Sequence, residues 1–502
     1  MAETIREIVI QAAEEFGDGD AVRYKAGKKE IVSKSYTELK RDSERFSCVL
    51  DKLGQQGCHV ALTGATSYTW LVAYLGIVNS ASVAVPLDVS LPAEEMCELI
   101  DRADATVFVV DEIRKDVAAI VKDRCPKLKY LISMQKEKSD EEALSFWELM
   151  EEAEGECKVV PSPEDLCTIM FTSGTTGKSK GVMLTHRNLA ENATCLDMKI
   201  PKRTVILSVL PIHHAYCLTM DIIKGMTLGS IICINDSLLR VAKNMKLFQP
   251  NMILMVPLMI ETMAKKLEEA ADLPPEIVKK EVFGENFHTI CSGGAYLNPS
   301  YIDLFKRYGI TILQGYGMTE CSPVISTTVS WNIRKEAVGQ LIPNCEAKTV
   351  DEELWVRGSS VMKGYYKMPE ETAAALTEDG WLRTGDLGYV DEEGFVYLTG
   401  RKKNLIITKN GENVSPEELE NKIGVHRLVQ EILVRESEGV IEAEIFPDYE
   451  YAKKKEITDI RAILQEEIDG YNKTAPAHKR IYRLKIRETE FEKTPSKKIK
   501  RY

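Results

Sequence analysis

The sequence has no CxxC pair, although it contains 12 cysteines, and its seven histidines form no HxxxH or HExxH. That scatter excludes the usual zinc spacings. There is no basic surplus: the formal net charge is -12. A general nucleic-acid binder would show the opposite balance, so only a local basic patch remains open. The first residues, MAETIREIVIQAAEEFGD, lack the basic head and apolar run of a secretory leader and read as a short amphipathic helix. Residues 70–87 carry no charge, but Asn79, Ser80, Ser82 and Pro86 interrupt them. The run divides into a helix and a short strand rather than a membrane span. No other segment approaches a span, and internal repeats and low-complexity tracts are absent. These absences predict a cytoplasmic protein with no transmembrane segment, no nucleic-acid partner and reduced thiols, several of them buried.

The content that is present belongs to an ordinary globular enzyme: 44% hydrophobic and 28% charged residues in 502. At roughly 150 residues per domain, two to four folding units are expected. Apolar runs at 59–64, 82–88, 105–111 and 129–134 read as buried strands with helical patterns between them. After an acidic connector near 136–165 the alternation resumes with VILSVLP, SIICIND, NMILMVP and FHTICSGG. Apolar runs alternating with helices predict parallel sheets covered on both faces. Two such series give two doubly wound subdomains. From 339 to 399 the texture changes to short alternating strands (ELWVRG, GFVYLTG), which suggests a small β-barrel-like subdomain. Beyond residue 400 a small α+β unit begins. In NVSPEELENKI, Ser415, Pro416 and Glu418 predict a helix start with a capping box. The fold class is therefore α/β. A large domain spans 1–400, and a small domain spans 401–502.

Residues 169–181 read IMFTSGTTGKSKG. An apolar strand ends in a loop dense in glycine and hydroxyl groups, with Lys178 and Lys180. Glycines let backbone N–H groups approach an anion, hydroxyls add donors, and lysine adds charge, a combination suited to a polyphosphate. Gly177, Lys178 and Ser179 fit the end of the Walker A pattern, but Thr172 stands where its first glycine belongs. The Walker reading fails on spacing.

The longer stretch FTSGTTGKSKGVMLTHRNL (171–189) resembles the signature loop of the adenylate-forming superfamily, which comprises acyl- and aryl-CoA synthetases, nonribosomal adenylation domains and luciferases. Four further segments occur in that family's order: SGGAYL (292–297), GYGMTE (315–320), 381–420, and KTPSKKIKR (493–501). The resemblance covers essentially the whole chain. GRKKN followed by NGENVSPEELE looks most like the bacterial long-chain acyl-CoA synthetases.

The resemblance implies ATP, Mg2+ and coenzyme A as cofactors and a carboxylic acid, by this branch a fatty acid, as substrate. Thr172, Ser173, Gly174, Thr175, Thr176, Gly177 and Lys180 would hold the triphosphate. Gly293, Gly294 and Ala295 would line the adenine pocket, with Gly315 and Tyr316 beside the base. Thr319 would touch the phosphates and Glu320 would hold Mg2+. Asp386 would accept from the ribose hydroxyls with Arg401 next to it. Lys498 would be the catalytic lysine, with Glu320 and Thr175 as the other catalytic groups. Lys403 would be the hinge of a rotating C-terminal domain, and Gly411 would let a phosphopantetheine arm pass. His214, in LPIHHAY, would face the acyl side, where Met220, Met226, Met255, Met259 and Met318 offer a soft apolar lining.

The chemistry suits these residue types. A carboxylate is ionised at neutral pH, so attack on phosphorus needs no general base. The obstacle is negative charge, and preorganised positive charge must meet it. In three places the sequence departs from the family pattern. Lys497 stands where glycine usually precedes the lysine. The 347–358 hairpin is short. Tyr216 stands where some long-chain enzymes have tryptophan. The nearest alternative is an adenylation enzyme that loads an acyl or aminoacyl group onto a carrier protein, with Asp221 as a weak candidate for holding an amino group. A purely adenylate-binding module is disfavoured by the intact Lys498, Glu320 and Asp386.

Overall fold

The computed structural model describes residues 2–27, 30–153, 155, 157–172, 178–408, 411–493 and 499–501. The chain forms two compact units. The first comprises Met1–Leu297, Tyr301–Glu346 and Val356–Leu382; the second comprises Asn298–Ser300, Ala347–Trp355 and Arg383–Tyr502.

In the first unit, eight strands among the described residues form one sheet. Their order is Gly364–Tyr365, Lys180–Thr185, Leu166–Thr172, Val83–Pro86, His59–Thr63, Ala105–Val110, Tyr130–Ser133 and Leu144–Ser145. The six from Leu166–Thr172 onward pair in parallel; the first two are antiparallel additions at one edge. Val60, Leu62, Val85, Val107 and Val109 are fully buried, as strands covered on both faces should be. The uncharged run resolves as expected, into the helix Tyr68–Asn79 and the strand Val83–Pro86. The helix is apolar and buried nearly all round, so it lies inside the unit. The acidic connector proves partly structured: it holds the strand Leu144–Ser145 and the helix Phe146–Glu152, capped by the Ser145 side chain.

A second sheet of nine strands, again counted among the described residues, runs Gln340–Leu341, Val324–Thr327, Thr311–Gly317, Thr289–Ser292, Met252–Met255, Val205–Ser208, Ile231–Ile234, Asp20–Ala26 and Glu30–Ser35. Its middle is parallel and both edges are antiparallel. The early hairpin Asp20–Ser35 thus joins the second sheet, while the late strand Gly364–Tyr365 joins the first. Neither sheet is one contiguous stretch of chain.

Four strands, Cys345–Val350, Glu353–Gly358, Leu382–Val390 and Val396–Arg401, form a further sheet in that order. The rest of the second unit packs Val429–Ser437, Val440–Pro447 and Arg483–Ile486 against the helices Pro416–Ile423 and Ile460–Thr474. Leu419, Ile423, Val434, Ala443, Ile445, Leu464 and Ile468 form its core. The expected capping box is not made. Pro416 does open the helix, but Ser415 gives no side-chain cap. Its hydroxyl donates to Glu417 Oε2 at 3.1 Å. A Cβ on Gly400 would stand 1.9 Å from that Oγ, so the Gly400 backbone crowds the capping hydroxyl. Glu418 turns instead to Lys479, 2.6 Å away.

Candidate nucleotide site

The strands Leu166–Thr172 and Lys180–Thr185 pair antiparallel, with Thr172 opposite Lys180. The hydroxyl-rich loop therefore joins two adjacent strands and leads into no helix. This removes the Walker context independently of spacing. Ser173, Gly174, Thr175, Thr176 and Gly177 lie outside the described residues. The return strand has a brace that the sequence did not reveal: Arg102 Nη2 donates to Ser179 O at 2.8 Å.

The strand Thr311–Gly317 carries Gly315 and Tyr316, and a single turn, Thr319–Cys321, follows it. Tyr316 is buried opposite Ser326, and Gly315 pairs with Thr327. Glu320 is only 9% exposed. The Tyr365 hydroxyl donates to Glu320 Oε1 at 2.9 Å, and Met362 N–H donates to Glu320 O at 2.8 Å. Lys180 Nζ lies 4.8 Å from the centre of the Tyr365 ring, on a cation–π contact. Burial, then the Glu320 carboxylate, pushes the Tyr365 hydroxyl well above the ordinary tyrosine value, so it stays protonated and donating. Asn192 Nδ2 ties the Glu320 turn down by donating to Cys321 O at 3.2 Å and Val324 O at 2.9 Å. Ser322 Oγ donates to Ser360 O at 2.8 Å. The chain around Glu320 is thereby fixed before any ligand arrives.

This donor set fits Mg2+. Magnesium is commonly held by one or two carboxylates plus the substrate's own phosphates, rather than by an all-protein cage. One buried, braced carboxylate beside the phosphate-loop hairpin meets that requirement. Among the described residues, no group of three or more His, Cys, Asp or Glu is placed to hold a metal ion.

Gly293 follows the strand Thr289–Ser292 and packs against Tyr216: a Cβ there would meet the phenol ring at 3.1 Å. Any larger residue would displace that ring. Gly294 and Ala295 are exposed. His214 lies in the same quarter, its ring centre 4.3 Å from that of His213. His213 is buried, and its Nε2 is 3.7 Å from Asp88 Oδ1. Burial, with His214 adjacent, drives the His213 pKa down to about 3, and desolvation lowers that of His214. The buried His213 imidazole is therefore neutral at pH 7. Of the methionines expected to line it, Met226 and Met255 are core residues with no exposed surface, while Met220, Met259 and Met318 are half-buried.

Asp221 sits in the π-helical turn Cys217–Ile223 with no exposed surface. The Cys217 thiol lies near it, with Sγ 3.8 Å from Asp221 Oδ2, and the Ser208 hydroxyl is a second polar neighbour. Burial raises its pKa to about 7. A carboxyl raised in this way favours the fold below its unfolded value and loses that contribution as pH climbs through about 7. Replacing Asp221 with Asn should therefore stabilise the protein, and the gain should grow by roughly 2 to 3 kcal/mol between pH 5 and pH 8. Urea unfolding of both proteins at the two pH values measures this; a gain independent of pH would contradict it.

In the second unit, Asp386 is buried and pairs with Arg401, with Nε–Oδ1 at 2.9 Å. Thr384 Oγ1 accepts from Asp386 N–H at 3.1 Å and donates to Leu354 O at 2.6 Å, which fixes the strand that carries the carboxylate. Lys403 lies in the turn Lys402–Asn404; desolvation and then Arg401 lower its pKa. Gly411 has φ +80°, and open space stands where a side chain would project. Lys409 and Asn410 lie outside the described residues, as do Lys497 and Lys498. On either side of 494–498, Lys493 bridges Ile499 in antiparallel fashion, and Arg501 binds Glu420 through two hydrogen bonds of 2.9 and 2.5 Å.

The profile of the AMP-binding enzyme family matches residues 9–366, and that of the AMP-binding enzyme C-terminal domain matches 403–502. The chain belongs to this family of adenylate-forming acid–CoA ligases. It is 30% identical over 467 aligned residues to 4-coumarate–CoA ligase-like 9 of Oryza sativa subsp. japonica, covering 86% of this chain and 80% of that protein. It is 28% identical over 548 aligned residues to a long-chain-fatty-acid–CoA ligase of Bacillus subtilis, covering 99% and 93%. The structure of ATP-bound MatB from Rhodopseudomonas palustris superposes with TM-score 0.83 at 24% identity, over 99% of this chain and 97% of that one. The fold expected from the sequence is the fold observed. Among the described residues, no helix is long and apolar enough to cross a membrane.

Proposed function

We propose that the protein uses ATP to adenylate a carboxylic acid, with a fatty acid as the substrate class, releasing pyrophosphate, and passes the acyl group to coenzyme A. The observation that carries this reading is the buried Glu320 carboxylate, held by Tyr365 next to Lys180 on the phosphate-loop hairpin. The family's two matched segments, covering both the core and the C-terminal domain, support it.

The substrate carboxylate, already charged, attacks the α-phosphorus, and the bond to the bridging oxygen breaks to release pyrophosphate. Thr172, the 173–177 loop and Lys180 hold the triphosphate. Gly293, Gly294, Ala295, Gly315 and Tyr316 receive the adenine, and Thr319 lies toward the phosphates. Asp386, with Arg401, takes the ribose hydroxyls; an ionised carboxylate can accept from both. Glu320 would hold Mg2+, which would supply positive charge to the departing pyrophosphate. Lys498 adds a cation from the C-terminal segment. In the second step the thiol sulfur bonds to the acyl carbon and AMP leaves. We assign Lys403 as the hinge between the two steps, with domain limits at 1–400 and 401–502, and Gly411 as the passage for the thiol arm. His214 borders the acyl side. The cytoplasm, where ATP and coenzyme A are available, is the proposed location.

Asp221 is sealed in the core by Cys217 and the turn around it, which leaves the amino-acid alternative without its candidate. The test is a panel of carboxylic acids offered with ATP, Mg2+ and coenzyme A, the products read by mass. Long-chain acyl-CoA is expected. Thioester formed only on a holo carrier protein would replace the coenzyme A reading.

A further inference from the structure

We infer that Tyr365 is a positioning residue for nucleotide activation: its hydroxyl sets the orientation in which Glu320 meets the metal, and its ring braces Lys180 beside the same phosphates. The inference rests on the proposed function, and it deepens that reading by naming a residue that no sequence motif singled out.

Tyr365 lies in a two-residue strand that pairs Tyr365 with Val182 and Gly364 with Met183, on the return strand that begins at Lys180. Flanking hydrogen bonds extend this stitching: Lys363 N–H donates to Met183 O at 3.0 Å, and Tyr366 N–H to Gly181 O at 2.8 Å. Tyr365 N–H itself donates to Thr372 Oγ1 at 2.9 Å. The same short segment reaches Glu320 twice, through the Tyr365 hydroxyl and through Met362 N–H. One pentapeptide, 362–366, therefore ties the phosphate-loop strand to the acidic turn. Its Tyr365 side chain, 6% exposed, touches both charged groups. A hydroxyl that donates to one carboxylate oxygen fixes the plane of the group. Partners of this kind, one step behind a metal ligand, typically govern metal affinity by 10- to 100-fold. The ring does a second task, since it gives Lys180 an aromatic face rather than free rotation in solvent.

The test is calorimetric titration of Mn2+ in the presence of a non-hydrolysable ATP analogue. It uses the wild-type protein, Tyr365→Phe, Glu320→Gln and the double variant, each checked by its thermal midpoint. Tyr365→Phe should weaken metal binding by about 10-fold, with the thermal midpoint nearly unchanged and adenylation recovered at high metal concentration. In the Glu320→Gln background the same substitution should have no further effect on metal affinity, because Tyr365 acts through that carboxylate. Metal affinity of Tyr365→Phe equal to wild type overturns the inference; so does an equal loss in both backgrounds. If Tyr365→Phe does not fold, Thr372→Val, which removes the acceptor for Tyr365 N–H, takes its place. A loss of a few-fold then supports the inference, and none overturns it. If the wild-type protein itself binds no metal–nucleotide, the proposed function fails with it. If the wild type binds and the variants match it, only the role of Tyr365 fails.

Discussion

Replacing Lys498 with Ala should slow acyl-AMP formation by about 10²- to 10³-fold, whereas replacing Lys497 with Ala should cost less than about 10-fold. The argument is electrostatic. An anionic nucleophile approaches an anionic phosphate, and charge grows on the pyrophosphate as it leaves. A single well-placed cation is worth a few kcal/mol in such a setting. Both lysines sit in KTPSKKIKR. We assign the role to Lys498 because Ile499 follows it. Thioester formation from preformed acyl-AMP should be spared in the Lys498 variant, since that step has no departing pyrophosphate. Single-turnover assays of the two half-reactions measure this. Equal losses at 497 and 498 would undo the assignment.

Glu320→Gln should lower acyl-AMP formation by at least about 10²-fold while leaving the fold intact. The amide keeps the shape of the side chain, and its oxygen still accepts from the Tyr365 hydroxyl, so the buried hydrogen bond survives. The substitution removes the negative charge that Glu320 would offer the metal. The defect should ease as Mg2+ is raised, which a general loss of structure would not allow. A variant that melts well below wild type, or whose rate is indifferent to Mg2+, would count against Glu320 as the metal ligand.

Much of this was legible in the residues. Runs such as HVALTG and NMILMVP are apolar enough to be covered on both faces, and they became the strands His59–Thr63 and Met252–Met255. Patterns of hydrophobicity report burial, and burial is local to a strand or a helix. They do not report which strand will be the neighbour. The hairpin Asp20–Ser35 pairs with Ile231–Ile234, some two hundred residues away, through backbone groups that every residue carries. Tyr365 was invisible for the same reason. In GYY it reads as ordinary core, and only the pairing of its strand with Lys180–Thr185 brings its hydroxyl to Glu320. Ser415 shows the reverse error. Its local pattern was correct for a cap, but its hydroxyl donates to the Glu417 carboxylate instead. Asp221 looked like a ligand group because its chemistry was visible and its burial was not.

The most direct test of the central claim is exchange of labelled pyrophosphate into ATP by the purified protein with Mg2+ and a carboxylic acid, in the absence of any thiol. The account predicts label in ATP that requires the acid and falls by at least about 10²-fold in Glu320→Gln. Label that appears equally without any acid, or none with any acid while the protein binds ATP, would contradict it.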